Sequence, residues 1–288
     1  MTEWLVEPLA FEFFRRALVA AVLAAGLCAV IGVYVVLRGM AYLGGALSHA
    51  VLPGVAVAYL AGGSVFLGGL AAGIATSLGV GFVSRHNRIK EDTAIGIVLA
   101  GAFALGVAIV SAVRSYSADL TNLLFGNVLA VTPGDLWQIG GVGLVVLLAM
   151  LFLHRKWTVL AFDPAYAAAS GFPVGALHYA LMILLSLSIV AAMQAVGVLL
   201  VTSLLIAPPA TARLTTRRVS SMMLLSVAWG ALAAVAGLYA SFYLNIASGA
   251  AIVLVSVLLF FVVFLFAPGQ GVLAGLIRRS QPTPGRLA

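Results

Sequence analysis

The sequence predicts an all-α fold, a polytopic bundle of transmembrane helices with eight or nine crossings, broken helices and one short surface helix. Three observations carry this. Hydrophobic residues make up 64% of the 288 positions and charged residues only 8%, with a mean hydropathy of +1.20, whereas soluble domains are roughly half apolar and about a quarter charged. No charged side chain occurs across residues 39–84, 164–212 or 219–277, so each block can enter hydrocarbon without burying an ion. Apolar runs of crossing length recur along nearly the whole chain, and the alternation of a membrane barrel is absent.

A crossing needs about 20 apolar residues in a helix, because lipid offers the backbone no hydrogen-bond partners and a helix satisfies its own. Nine segments fit, at residues 14–37, 46–61, 64–84, 93–113, 136–153, 176–193, 195–212, 219–240 and 250–267. Residues 1–13, with Glu3, Glu7 and Glu12, read as an interfacial segment leading into an apolar run too long for a signal-peptide core. Residues 14–267 form one transmembrane domain. Residues 268–288, with their prolines and arginines, read as a flexible cytoplasmic tail.

The charge placement orients the bundle. Of 15 basic residues, those at 85–90, 155–156, 213–218 and 278–286 form four groups, each separated from the next by a pair of crossings. All four therefore fall on one side, which the positive-inside rule makes cytoplasmic, together with the carboxy terminus. Residues 114–135 and 241–249 then face outward. Arg15 and Arg16 sit against this rule if all nine segments cross. The single cysteine, Cys28, permits neither an internal disulfide nor a cysteine metal cage and reads as packing.

Two proline sites interrupt apolar runs: Pro53, and the pair Pro208 and Pro209. Proline removes a backbone donor and clashes within a helix, and a broken helix at membrane depth is tolerated where it is buried in protein or lines a watery path. The segments carrying Pro53, Pro208 and Pro209 are therefore the candidate pore elements. His49, beside Ser48, is the clearest ionisable group inside a charge-free block; His178 and Gln194 lie near segment ends. Ion-coupled carriers need buried ionisable groups, and this chain has few. It also lacks a phosphate-binding loop, since Lys90 follows Ile89 and Lys156 follows Arg155, so the chain is not expected to be an ATP-hydrolysing enzyme. Energy for transport must then come from another chain. Gly69-Leu-Ala-Ala-Gly73 fits a close helix contact.

The longest cytoplasmic loop expected, residues 154–177, contains Phe162-Asp-Pro-Ala-Tyr-Ala-Ala-Ala-Ser-Gly-Phe-Pro173. Asp163 can cap a short helix, Pro164 suits its first position, the alanines favour it, and Gly171 followed by Pro173 ends it. Such a helix can dock on a partner.

Several stretches in order resemble the permease family of ABC-type manganese and zinc importers: Ala46-Leu-Ser-His-Ala-Val-Leu-Pro-Gly54, Lys90-Glu-Asp-Thr-Ala-Ile-Gly-Ile97, Leu124-Phe-Gly-Asn-Val-Leu129, Phe162-Asp-Pro-Ala-Tyr166, Val196-Gly-Val-Leu-Leu-Val201 through Ala210, and Ser248-Gly-Ala-Ala-Ile252. The resemblance implies a bacterial inner-membrane permease, in a homodimer or paired with a different permease, bound to two cytoplasmic ATPase subunits and served by an extracytoplasmic metal-binding protein. It implies no bound cofactor, the divalent metal being cargo. Asp163, Pro164, Ala165, Tyr166 and Gly171 would form the coupling helix that contacts the ATPase. Gly45, Ser48, His49 and Pro53 would lie on the translocation path, joining Pro208 and Pro209 named above on physical grounds, and Glu91 and Asp92 could attract cations at its inner mouth. The family commonly has an aspartate four residues before the histidine; this chain has Gly45, which offers only its carbonyl. A stand-alone carrier of small organic molecules, or a permease for a metal chelate, is the alternative.

Overall fold

A computed structural model of the chain describes residues 6–84, 91–112 and 128–267. The segments 1–5, 85–90, 113–127 and 268–288 lie outside the described residues, and with them the start of the expected interfacial segment, the whole basic group after the third crossing, most of the outward loop expected at 114–135 and the whole tail. The described part is helical without strands.

A short 3-10 turn at Pro8–Ala10 precedes α1, Glu12–Leu37; the second crossing is split into α2, Ala41–Ala50, and α3, Leu52–Leu60; then follow α4, Val65–Ser84, and α5, Glu91–Ser111. After a second 3-10 turn come α6, Pro133–Phe162, the short α7, Pro164–Ala169, and α8, Val174–Val196. The last three are α9, Val198–Thr215, α10, Val219–Leu244, and α11, Ser248–Phe266. Counting α2 with α3, nine helical segments among the described residues are long and apolar enough to cross a membrane.

Helix α1 is the hub, packing against α6, α8, α9 and α10. Its inward residues are small: Ala17, Ala20, Ala21, Ala24, Ala25 and Cys28 are fully buried. In lipid the burial of apolar surface does not drive helices together, so association depends on close van der Waals contact, which small residues permit. Gly230 of α10 sits against Ala25 in this way. The opposite case is α6, α5 and α11, which turn Phe152, Leu105, Leu254 and Leu258 outward.

Two expectations are corrected. Helix α6 does not stop before Arg155 and Lys156 but continues to Phe162, so the loop expected at 154–177 is mostly helix. Charges end a hydrocarbon span without ending a helix: Arg155 and Lys156 are exposed while Trp157 and Leu160 on the other face stay buried. Nor do Pro208 and Pro209 break the seventh crossing; α9 runs through both. Pro209 deprives the Leu205 carbonyl of its helical donor, and that carbonyl lies against Gly32 of α1, where any side chain would collide with it. The bare backbone of Gly32 covers this carbonyl closely. The turn instead falls at Gly197, whose φ of +83° carries the chain from α8 to α9.

These close approaches predict a graded response to added bulk. Gly32→Val and Gly54→Val, each driving a side chain into a neighbouring carbonyl, should destabilise the folded protein by about 1–3 kcal/mol. Gly26→Val, whose added carbon meets nothing within 4 Å, should leave the melting temperature in detergent nearly unchanged. Equal shifts in all three, read by intrinsic fluorescence, would contradict this packing account.

Candidate functional site

Proline at position 53 determines the local structure of the second crossing. It has no N–H, so the carbonyl of His49 receives no donor four residues on, and the helix divides. Val51 is the hinge between α2 and α3, with φ −76° and ψ −14°; its N–H still donates to the Leu47 carbonyl at 3.2 Å. Four glycines clothe the break, Gly54 of α3 among them. Gly54 and Gly68 of α4 approach so closely that a side chain on either would strike the other's carbonyl. Gly73 of α4 admits Val51. Gly106 of α5 lies against Leu52 and Pro53, where an added methyl would sit 3.0 Å from the proline nitrogen.

Tyr42, Gly45 and His49 share one face of α2, being three, four and seven residues apart. Tyr42 and His49, with Gly96, Leu99, Ala100 and Phe103 of α5, line a cavity of about 380 Å³. His49 is half-buried and meets Phe103 edge to face, ring centres 6.0 Å apart at 83°. Neither imidazole nitrogen has a hydrogen-bond partner among the described residues. An added carbon at Gly45 would meet nothing within 4 Å, so the space beside His49 stays open. The face of α5 that borders the cavity begins one turn earlier with the exposed Asp92, four residues before Gly96. Glu91 opens the same helix.

Other predicted site residues lie elsewhere. Ser48 is buried and donates its hydroxyl to the Gly44 carbonyl of its own helix at 3.0 Å. Pro208 and Pro209 are buried against Gly230 and Gly32, in the seam of α9 with α10 and α1. The link between α9 and α2 is Leu205, which rests on Gly44, a different face from that of His49. Among the described residues no three His, Cys, Asp or Glu side chains gather closely enough to hold a metal ion.

The short helix α7 forms as its residues dictate. Asp163 accepts the Tyr166 N–H at 2.8 Å, and Pro164 holds the first position. At the other end, Gly171 at φ +77° donates to the Ala168 carbonyl and Phe172 to that of Ala167, both at 3.0 Å, the paired bonds of a Schellman cap. Ala167 faces inward; Asp163, Pro164, Ala165, Tyr166 and Gly171 are exposed, as is Phe162. Two aromatic side chains one turn apart thus stand out from this hairpin, Phe162 65% and Tyr166 61% exposed. Beneath them the Trp157 indole donates to the Leu177 carbonyl at 3.0 Å and closes the hairpin's base.

Sequence reasoning did not single out Tyr42, Phe103 or Trp157. Spacing could have found the first two, since Tyr42 precedes His49 by two turns and residues 92, 96, 99 and 103 keep one face. Trp157 had no such signal.

Taken together, a broken intramembrane helix with an unpaired imidazole and a rigid exposed hairpin between crossings define a transport permease, and the chain belongs to the ABC 3 transport family, whose match covers residues 10–267. Among its relatives, the manganese transport system membrane protein MntC of Halalkalibacterium halodurans is 48% identical over 273 residues, covering 95% of this chain and 94% of that protein. The manganese import system permease protein ScaB of Streptococcus parasanguinis is 42% identical over 94% of this chain and 96% of its own. Among solved structures, PsaBC from Streptococcus pneumoniae in complex with Fab has a chain that superposes with a TM-score of 0.84 at 38% identity, over 93% of this chain and 97% of that one.

The cap geometry makes a local prediction. Asp163→Ala removes the side-chain acceptor for the first turn of α7, a loss of about 1 kcal/mol, so amide exchange at 166–171 should quicken about fivefold while α6 and α8 are unaffected. Unchanged exchange would mean the helix does not depend on this cap.

Proposed function

We propose that this chain is the membrane permease subunit of an ATP-driven manganese importer. The observation that carries the reading is the unpaired His49 imidazole at the wall of an intramembrane cavity, in a chain whose 48% and 42% identical relatives are named for manganese transport. Family membership and the lack of a phosphate-binding loop support ATP hydrolysis on separate subunits. The partners are a second permease copy, two cytoplasmic ATPases and an extracytoplasmic metal-binding protein.

The exposed α7 hairpin is the docking element for the ATPase. It follows Arg155 and Lys156 and lies two crossings before the basic group at 213–218, and the positive-inside rule puts both in the cytoplasm of a bacterial inner membrane, with the carboxy terminus on the same side. The extracytoplasmic side then receives the cation.

The transport step needs a site that holds a dehydrating cation briefly and lets it go. A neutral imidazole donates a lone pair, and the His49 carbonyl, which lacks its usual helical donor because of Pro53, is a second, oxygen donor of the harder type that manganese accepts. With no carboxylate beside it among the described residues, the site binds weakly, which suits passage. Asp92, on the same face of α5 as the cavity lining, raises the local cation concentration. Rocking of the helix packing about the break, driven by the ATPases, then exposes the site to either side in turn.

In proteoliposomes carrying this chain with its ATPase and binding protein, manganese uptake should require ATP, and a panel with zinc and iron(II) should show manganese preferred. His49→Ala should reduce uptake at least tenfold while the complex assembles normally. Uptake that continues without the ATPase would sink the importer reading, and normal kinetics in the His49 variant would reduce that residue to packing.

A further inference from the structure

We propose that Tyr34 and His154 form the strut through which movement of the α7 hairpin reaches the helix pair carrying His49. The proposal rests on the importer reading above and adds positioning residues to it. Tyr34 is fully buried in the last turns of α1, and its hydroxyl shares a 2.8 Å hydrogen bond with Nδ1 of His154 on α6. The same hydroxyl lies 3.3 Å from the His154 carbonyl and 3.4 Å from Thr158 Oγ1, and Thr158 itself donates to that carbonyl at 2.8 Å. On the far side of the ring, Nε2 is 3.4 Å from the Ser220 hydroxyl, in the first turn of α10. One imidazole thus bridges α1, α6 and α10.

The strut is placed to carry motion. From His154, α6 runs on to Phe162, and Asp163 is at once the last cap of α6 and the first cap of α7. No free residue separates the two helices, so force on the exposed hairpin is delivered to α6. Trp157, one turn beyond His154, packs on Tyr34 with ring centres 6.0 Å apart and bonds the start of α8, locking both legs of the hairpin to α1 at one level. From Tyr34, α1 ends at Leu37, and only residues 38–40, turning at Gly39 with φ +71°, lead into α2. Arg213 of α9 holds this turn by donating to the Val36 carbonyl at 3.2 Å. Displacement of the end of α1 therefore has little slack before it moves α2, whose far end carries His49.

A packing role alone would be met by Phe and Leu at the two positions. A directional hydrogen bond between helices adds a fixed distance between α1 and α6, which is what a strut requires.

The test uses the assembled complex in proteoliposomes, with ATP hydrolysis and manganese uptake measured on the same sample. Tyr34→Phe and His154→Leu should assemble and hydrolyse ATP within twofold of the parent, while manganese carried per ATP falls fivefold or more. The double variant should be no worse than either single one, and His154→Gln, which keeps a hydrogen-bonding group, should restore much of the ratio. An unchanged ratio in His154→Leu, or losses that multiply in the double variant, would overturn the strut. Should Tyr34→Phe fail to fold, the Leu and Gln variants of His154 decide. Absence of ATP-dependent uptake in the parent complex would instead count against the importer reading.

Discussion

Hydrocarbon offers a peptide group no partner, and the architecture around the second crossing follows from that constraint. Pro53 opens the helix within the membrane, and an opened helix is stable there only when protein surrounds it. Gly54 against Gly68, Gly73 against Val51 and Gly106 against Pro53 supply this cover by bringing backbones together. The exposed side of the break is left for the cavity, where His49 stands with open space at Gly45. The glycines and the cavity are thus two sides of one feature.

The same economy of small residues builds the rest. The alanine stripe of α1 and the stripe Gly69, Gly73 and Ser77 of α4 hold their neighbours at short distance. Polar contacts reinforce these seams: the Ser186 hydroxyl of α8 donates to the Gly73 carbonyl at 3.1 Å, within 2.8 Å of Ser77, and Gln138 of α6 donates to Gln194 of α8 at 2.7 Å. Such bonds are modest in strength, but in lipid they fix rotation and register between otherwise slippery apolar faces. Such close seams run along α1, α4 and α8 and surround the α2–α3 break.

Much of this was legible in the sequence because lipid makes hydrophobic length nearly equivalent to helix length. The nine candidate spans among the described residues are legible for that reason, and α7 is legible because Asp163, Pro164, Gly171 and Pro173 each have a local cap or turn preference. The two errors share an origin. Apolar character stops at Arg155 but the helix does not, and Pro208 with Pro209 reads as a break in a linear pattern because the close neighbour that covers the freed carbonyl, Gly32, lies more than 170 positions away. Tertiary partners of this kind leave no trace in a linear pattern. His49 was visible as an ionisable group in a charge-free block, whereas the cavity beside it depends on α5 and so appeared only in three dimensions.

The proposed transport route puts one face of α2, at residues 42, 45 and 49, on a watery path inside the membrane. Substituted cysteines test it directly, because the thiolate that attacks the reagent sulfur and displaces its sulfinate forms only where water reaches, and the native Cys28 is buried. In the assembled complex, cysteine at positions 42, 45 and 49 should react with a small water-soluble methanethiosulfonate, while cysteine at the buried positions 43 and 47 should not. Protection of position 49 alongside 43 and 47, or equal reactivity at all five, would contradict the account.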